Sequence, residues 1–260
     1  MAGRIHPTAI IDESAVISED VEIGAWAIIE ADVQVGRGCV IGPWSRIEGP
    51  AILGERNRLV SHCSIGSPPQ DLKFQGEKTE LRIGDDNVFR EFVTVNRGTA
   101  GGGGSTTIGS SNFFMAYAHV AHDCHVGSHC IFGNAATLAG HVEVADHANI
   151  GAFAAVHQFC RVGAHAFIGG FTVVTQDVLP YVKTVGGREA KTYGVNTIGL
   201  QRRGLSKETI SAIDSAYRLL IRSKLSVEAA LERIENELPD VPEVRYFAAF
   251  VRGAKRGLIR

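Results

Sequence analysis

Long apolar runs are absent from this sequence, and so is a strong excess of either charge. No segment approaches the ~20 consecutive apolar residues that a membrane-spanning helix needs, so no membrane span is expected. The formal net charge of −2 offers no basic footprint for nucleic acid or an anionic membrane. The opening MAGRIHPTAIIDES has no apolar core of the secretory type, and the odd number of cysteines includes no CxxC pair. We therefore expect a reduced, cytoplasmic protein that binds no nucleic acid.

What the sequence does contain is a six-residue repeat. An apolar residue recurs at every sixth position from Ile5 to Ile65, again from Ile83 to Val95, and then from Ile108 to Val174. The fifth position of each hexad is mostly small, and the cysteines fall there, so we interpret them as buried small side chains. A bulky aliphatic residue beside a small one predicts short strands that turn tight corners. The 30 glycines agree with a turn-rich fold.

This pattern resembles the hexapeptide repeat of the left-handed parallel β-helix, in which three hexads make one triangular coil. The left hand is implied by the resemblance, because the usual chirality of crossovers would favour the right hand. We therefore predict a mainly β fold: a left-handed parallel β-helix of hexapeptide repeats over residues 1–180, followed by a C-terminal α-helical domain. Residues 181–260 are predicted as a connecting segment and helices that begin near Ser206, Ser226 and Asp240.

Two stretches break the period and are predicted to leave the coil as loop insertions, residues 66–82 and 97–107. The first contains QDLK, in which Asp71 and Lys73 precede an aromatic residue, and loops on a rigid scaffold often carry function. The glycine run 101–104 in the second loop is interpreted as a tolerated insertion.

The stretch HVAHDCHVG at 119–127 is the richest in titratable groups. Because three hexads make one coil, residues separated by three hexads should stack at the strand spacing of ~4.8 Å. Asp123 is therefore expected under His141 and His122 under Gly140, with His157 on the next coil. A second column, of histidines that are again three hexads apart, is interpreted as an outer or interface stripe; it comprises His129, His147 and His165.

Two chemistries fit the first cluster. A zinc site would need three or four ligands converging at ~2 Å, and γ-class carbonic anhydrases, which are hexapeptide proteins, hold metal through histidines between subunits. Alternatively, a histidine followed by an aspartate, with a backbone amide one coil away, suits a general base with an oxyanion donor. We favour the general base and predict no metal and no cofactor.

Several motifs at these separations resemble the UDP-N-acetylglucosamine acyltransferase family of lipid A biosynthesis: AHVAHDCHVG, NAATLAGHVEV, AVHQFCRVGAHAFIGG, QDLK, RGT, GVN with GLQRRG, and the ending RGLIR. The similarity covers nearly the whole chain. It implies a cytoplasmic homotrimer with its cleft between adjacent prisms. Such an enzyme moves a fatty acyl chain, usually 3-hydroxylated, from acyl carrier protein to the sugar 3-hydroxyl of UDP-N-acetylglucosamine.

The resemblance also implies roles for individual residues. His122 would be the general base, Asp123 would hold its ring, and the Gly140 N–H would stabilise the tetrahedral oxyanion. The sugar nucleotide would be contacted, and the cleft shaped, by Asp71, Lys73, His141, His157 and Gln158. Residues near the nucleotide and the carrier would be Asn196, Arg202 and Arg203. Gly170 would be the floor that limits the length of the acyl chain.

The chain departs from the family pattern at two positions. Asn96, before RGT, occupies a place where better-known members carry histidine, and Ile198 replaces an acidic residue. Some members acylate a 3-amino analogue of the sugar, so amine and hydroxyl both remain as acceptors, and the preferred acyl length stays open.

Overall fold

Short parallel strands dominate the computed structural model, which describes residues 4–187 and 189–260. Most strands have two residues, one facing inward and one facing outward, as expected of a six-residue repeat. The strands, in chain order from β1 to β27, are Ile10–Ile11, Val16–Ile17, Glu22–Ile23, Ile28–Ile29, Val33–Val35, Val40–Ile41, Arg46–Ile47, Ala51–Leu53, Arg58–Leu59, Ser64–Ser67, Glu80–Ile83, Val88–Phe89, Thr94–Asn96, Ser105–Ile108, Phe113–Phe114, His119–Val120, His125–Val126, Ile131–Phe132, Thr137–Leu138, Glu143–Val144, Asn149–Ile150, Ala155–Val156, Arg161–Val162, Phe167–Ile168, Val173–Val174, Val182–Val185 and Lys191–Val195.

These strands form three sheets, because nearly every strand pairs in parallel with the strand three places later in the chain. We call them the first face (β1 to β25 in steps of three), the second face (β2 to β23) and the third face (β3 to β24, then β26 and β27). Val120 pairs with Leu138, the first residue of the third hexad after its own, so one coil is three hexads. The chain is a left-handed parallel β-helix with hexapeptide repeats, as predicted.

The inward positions fill one continuous apolar core along the prism. Phe89, Phe114 and Phe132 stack inside it with ring centroids 4.8 and 4.6 Å apart. The five cysteines are free and buried, in agreement with their interpretation as small core side chains. Burial raises the pKa of the Cys124 and Cys130 thiols to about 12, which keeps them protonated and unreactive.

Most corner residues at the fourth position of a hexad adopt a left-handed backbone, with φ near 60° for bulky residues such as Trp44 and His141. This conformation is unfavourable for most side chains. It is held by a hydrogen bond to the coil before: the Trp44 N–H donates to Ala25 O at 3.0 Å and the His141 N–H donates to His122 O at 3.0 Å. Side chains at equivalent corner positions therefore stack in vertical columns.

Three corners result, and each has its own composition. The site corner, between the first and second faces, includes Asp123, His141 and Phe159. The polar corner lies between the second and third faces, and its column includes Arg56, Asp86, Ser111, His129, His147 and His165. The aromatic corner lies between the third and first faces, and its column is Trp26, Trp44, His62, Phe92, Tyr117, Ala135, Phe153 and Phe171.

Both loops are shorter than predicted. β10 runs to Ser67 and β11 starts at Glu80, and β14 starts at Ser105, because these residues pair with strands of neighbouring coils. The loops proper are residues 68–79 and 97–104, and both leave the prism at the site corner.

The segment predicted as a connection after Pro180 contains more structure than expected. β26 adds to the third face, with Ile168 opposite Thr184, and β27 returns antiparallel to it. The step from Ile168 to Thr184 is shorter than three hexads, and the inward position carries a buried threonine instead of an aliphatic residue. Because of these two changes, the sequence of this coil does not match the hexad pattern.

Four α-helices follow in the described part of the chain: α1 Thr197–Arg202, α2 Lys207–Ile221, α3 Val227–Glu237 and α4 Pro242–Arg252. Ser206 and Ser226 accept N–H bonds as N-caps of α2 and α3, whereas α4 is preceded by Val241 with no side-chain cap. α4 lies over the second face, where Arg161 donates to Phe250 O at 3.0 Å and its guanidinium lies 4.3 Å from the Phe250 ring centre. Among the described helices, none is long and apolar enough to cross a membrane.

Candidate active site

His122 and Asp123 form a hydrogen-bonded pair at the site corner. His122 Nδ1 lies 2.7 Å from Asp123 Oδ2, and the Asp123 residue is only 2% exposed. A carboxylate in this place fixes Nδ1 as the protonated nitrogen. The opposite nitrogen, Nε2, then carries a lone pair, so His122 can accept a proton from a bound molecule.

The Asp123 carboxylate is held on its other side by Thr99, from the loop 97–104. The Thr99 N–H donates to Oδ1 at 2.7 Å and the Thr99 hydroxyl donates to Oδ2 at 2.7 Å. The backbone N–H of Asp123 in turn donates to Thr106 Oγ1 at 2.8 Å. These bonds compensate the carboxylate for its loss of water and leave it no freedom to rotate away from His122.

His141 sits one coil further, as its spacing predicted. Its Nε2 lies 3.7 Å from Asp123 Oδ2, its ring is edge-on to His122 at 5.2 Å, and it stacks on Phe159 at 4.4 Å. Burial lowers the pKa of His141, and the Asp123 charge only partly offsets this effect. His141 is therefore a neutral hydrogen-bonding group near pH 7, suited to binding a hydroxyl or an amide.

Gly140 lies directly against the His122 ring. A Cβ at Gly140 would be 2.6 Å from His122 Cε1, so no other residue fits while the ring stays in place. Among the described residues, no backbone or side-chain acceptor takes the Gly140 N–H. This donor is thus free for a ligand beside the proton acceptor.

The other residues predicted for the sugar nucleotide divide between two corners. Asp71 and Lys73 lie in the loop 68–79 at the site corner, near enough for the Asp71 charge to raise the pKa of His141 against the larger effect of burial. His157 and Gln158 lie at the same corner one coil above Gly140, exposed, with His157 Nδ1 3.4 Å from an Arg256 nitrogen.

Asn196, Arg202 and Arg203 lie elsewhere, at the polar corner. They line a cavity of about 350 Å³ with His147, His165 and outward residues of the third face such as Lys183. Burial, with help from His147 and Arg203, lowers the pKa of His165 to about 4. The charge of this cavity therefore comes from its arginines and Lys183 and not from its histidines.

Gly170 is found at the aromatic corner, exposed, next to Phe171. A Cβ there would lie 3.2 Å from Ala152 O, which is tight but leaves an outward path for a side chain. Within one chain, then, the structure brings His122, Asp123, Gly140 and His141 together and separates them from Gly170 and from the arginines.

The chain is similar over its full length to known proteins. It is 51% identical to acyl-[acyl-carrier-protein]--UDP-N-acetylglucosamine O-acyltransferase of Stenotrophomonas maltophilia, covering 100% of this chain and 98% of that one. It is 46% identical to the protein of the same name from Syntrophobacter fumaroxidans, covering 99% and 100%. The chain belongs to the UDP-N-acetylglucosamine O-acyltransferase family.

Two further comparisons agree with membership of this acyltransferase family. The solved UDP-N-acetylglucosamine acyltransferase of Bacteroides fragilis superposes with a TM-score of 0.96 at 41% identity, covering 99% of this chain and 100% of that one. The O-acyltransferase of Moraxella catarrhalis gives 0.95 at 40% identity, covering 98% and 99%. Models for domain 2 of UDP-N-acetylglucosamine O-acyltransferases and for bacterial transferase hexapeptides (six repeats) match residues 177–259 and 105–140.

Sequence reasoning missed the support that the second loop gives to Asp123. The glycine run was interpreted as a tolerated insertion, and for Gly102 this was wrong, because a Cβ there would lie 2.0 Å from the Asp123 carboxyl carbon. Thr99 belongs to the RGT motif, and nothing in that motif points to Asp123. Neither residue lies within the hexad repeat, so the spacing of three hexads does not predict that the loop contacts Asp123.

Replacing Gly140 by alanine tests whether the His122 ring must stay where it is. We expect Gly140→Ala to lower kcat about 100-fold, since the new methyl group displaces the ring and small misplacements of a reacting group have costs of this order. Gly101→Ala is the matched control, because a Cβ at Gly101 meets nothing within 4 Å. Steady-state rates of both folded variants give the answer, and an unimpaired Gly140→Ala would contradict the required placement.

Proposed function

We propose that this protein transfers a fatty acyl chain, 3-hydroxylated in the preferred donor, from acyl carrier protein to the 3-hydroxyl of UDP-N-acetylglucosamine, the first step of lipid A biosynthesis. Membership of the O-acyltransferase family supports the reaction, and the 2.7 Å His122–Asp123 pair supports the mechanism. We further propose a cytoplasmic enzyme, in accord with cysteines that stay buried as thiols.

In the proposed mechanism, His122 Nε2 removes the proton from the sugar hydroxyl as its oxygen attacks the thioester carbonyl carbon. The carbonyl oxygen becomes an oxyanion and accepts the Gly140 N–H. The C–S bond then breaks, and the carrier thiolate leaves with the proton that His122 received. Asp123 holds the ring and stabilises the imidazolium formed between the two steps.

A metal-dependent hexapeptide enzyme is the alternative from another class. His122, Asp123 and His141 do place one ligand atom each within 4.8 Å of one another. However, Asp123 Oδ2 already accepts the Thr99 hydroxyl and contacts His122 Nδ1 at hydrogen-bond distance, so its lone pairs serve hydrogen bonds. We therefore propose catalysis without a metal; metal analysis of purified, active protein distinguishes the two functions.

The acceptor atom is proposed to be a hydroxyl, because the relatives named above are O-acyltransferases. The 3-amino sugar nucleotide is the second acceptor to test, since Asn96 and Ile198 depart from the family pattern. Asn96 is buried and its side-chain NH₂ donates to Pro68 O at 2.9 Å, so it anchors the loop that carries Asp71. Parallel incubation with both sugar nucleotides, with products identified by mass, decides between them.

We also propose that the active enzyme is a homotrimer whose clefts lie between copies. The general base is at the site corner, whereas the arginine cavity opens on the third face beside the polar corner. A direct path between them across the second face is covered by α4, which contacts Arg161 and Ala164. One chain therefore does not offer both groups to one substrate, but the first face of one copy beside the third face of the next does.

In this arrangement Asn196, Arg202 and Arg203 of a neighbouring copy bind the nucleotide and receive the acidic carrier. Two guanidinium groups suit the diphosphate, because arginine forms paired hydrogen bonds with phosphate oxygens. The side chains that line the site corner of the first copy and orient the sugar are Asp71, Lys73, His141, His157 and Gln158.

The general-base role predicts the behaviour of histidine variants. His122→Ala should lose ~10²–10⁴-fold in kcat while keeping its fold, because the side chain stands at the surface of the prism and not in its core. His125→Ala is the control: this exposed histidine bonds Thr107 on the second face, away from the proposed cleft. A His122→Ala enzyme turning over at the rate of His125→Ala would remove His122 from the mechanism.

Mixing two defective chains tests the cleft between copies. His122→Ala lacks the base, and Arg202→Ala/Arg203→Ala raises KM by removing the neighbour's cations. In randomly mixed trimers, about a quarter of the clefts should be intact, because they combine His122 from one chain with the arginines of the other. Activity measured at low UDP-N-acetylglucosamine, before and after refolding the chains together, shows the gain. No gain on mixing would place both halves of the site in one chain.

Gly170 is proposed to limit the acyl chain. It lies between two and three coils above His122, roughly 10–14 Å at the strand spacing, and on the rim of the third face that the neighbouring copy presents to the cleft. Gly170→Met should shift preference towards shorter acyl donors, since overfilling the cleft costs ~1–3 kcal/mol. The donor-length profile of the folded trimer is the measurement; a changed melting temperature with an unchanged profile would limit Gly170 to a corner role.

A further inference from the structure

The C-terminal tail, residues 253–260, returns from α4 to the last coil of the prism and is attached there. Ile259 is only 3% exposed and packs into the apolar core of the prism. Its N–H donates to Asp177 O at 3.0 Å, and the Asp177 N–H donates to Gly257 O at 3.0 Å. The tail is therefore a packed part of the prism and not a free end.

Two further features hold this part of the tail in place. Gly257 has a φ of 78°, and a Cβ there would lie 2.7 Å from Gln176 Nε2, so glycine permits both the turn and the close approach. The buried Asp177 carboxylate accepts the Arg161 backbone N–H at 2.8 Å and pairs with the Arg161 guanidinium at 2.9 Å. Gln176 Nε2 also donates to Arg256 O at 3.4 Å. These contacts fix the backbone of Arg256 beside the last coil.

Arg256, the first residue of the ending RGLIR, meets the site corner from this position. One of its guanidinium nitrogens lies 3.4 Å from Nδ1 of the exposed His157. Burial raises the pKa of the Cys160 thiol to about 11, and the nearby Arg256 charge partly opposes this effect. A motif that the chain shares with the acyltransferase family thus ends beside a histidine that is proposed to contact the sugar nucleotide.

The contact with Arg256 restricts where the His157 ring can carry its proton. A guanidinium group has donors only, so its hydrogen bond requires a lone pair on Nδ1 and leaves the proton on Nε2. The competing partner of Nδ1 is the carbonyl oxygen of Gln158, at 3.2 Å, which requires a proton on Nδ1 instead. That proton would face the guanidinium N–H groups, whereas a charged donor forms the stronger hydrogen bond with a lone pair. The form with the proton on Nε2 is therefore favoured while Arg256 is present.

We propose that Arg256 is a positioning residue that holds His157 as a neutral ring with its proton on Nε2. The inference rests on the proposed function, in which His157 contacts the sugar nucleotide. Nε2 has no partner among the described residues, so it is the nitrogen that a ligand can reach. As a donor it suits the oxygens of a nucleoside diphosphate, whereas a lone pair on Nε2 would repel them. In this way the C-terminal tail acts on substrate binding in the chain that also carries His122.

Protein labelled with nitrogen-15 in its histidines gives a direct measurement, because the two neutral forms of the ring differ in which nitrogen carries the proton. At mildly alkaline pH we expect the His157 signals, assigned by their loss in His157→Gln, to show a protonated Nε2. Arg256→Met should move the proton to Nδ1, since the Gln158 carbonyl then remains as its partner. Lys255→Met is the matched control: it removes the same charge from an exposed neighbour in the tail and should leave the signals unchanged.

Kinetics measure the consequence for the substrate. Arg256→Met should raise KM for UDP-N-acetylglucosamine about tenfold at a nearly unchanged kcat, the order expected when one hydrogen bond to a charged group is lost. Arg256→Lys keeps a cation with donors only, so it should restore the Nε2 proton and most of the affinity. Adding Arg256→Met to His157→Gln should raise KM no further, because Arg256 acts through His157.

Three results would contradict the positioning role and leave the proposed function standing. They are a protonated Nδ1 in the intact protein, a proton that stays on Nε2 in Arg256→Met, and a KM that rises as much in Lys255→Met as in Arg256→Met. A further rise in KM in the double variant would also overturn the role, since Arg256 would then bind the nucleotide directly. A protein with the expected signals that transfers no acyl chain to the sugar nucleotide would contradict the proposed function instead.

Discussion

The parallel backbone pairing between coils is the constraint on which the rest of this structure depends. It fixes a rise of one strand spacing for every three hexads, so a side chain finds its spatial neighbour three hexads away along the chain. His122 meets Gly140, and Asp123 meets His141, for this reason alone. Because most backbone hydrogen bonds of the prism lie between coils, a substrate site can be assembled from short turns that have no regular structure of their own.

The same pairing explains how far the sequence predicts the fold and the site. The hexads predict the prism, and the spacing of three hexads predicts the pair of histidines around Asp123, since both follow from one repeated distance. Thr99 and Gly102 are not predicted, because their loop interrupts the hexad repeat and folds back over Asp123. β26 escapes because a shortened coil with an inward Thr184 breaks both the spacing and the apolar pattern.

The motifs also do not predict that the proposed site residues lie at different corners of the prism. QDLK, HDC and GLQRRG indicate residues of one reaction, but motifs carry no information about which corner each coil turn occupies. Counting hexads from the first strand would assign His122 to one corner and Gly170 to another. Counting hexads does not give the position of Arg202 and Arg203, because the hairpin and α1 lie outside the repeat and are placed by the packing of Val182, Val195 and Leu200 into the C-terminal apolar cluster.

A prism of this kind also has difficulty in enclosing a substrate by itself, since its faces are flat and its corners are convex. The chain adds two loops at the site corner, and they organise Asp123 and carry Asp71, but they supply no second wall. In the proposed trimer, a neighbouring prism supplies one without any new fold. If the base and the arginines are divided between copies as proposed, assembly becomes a condition of activity, and an isolated chain would hold the proposed general base but bind no nucleotide beside it.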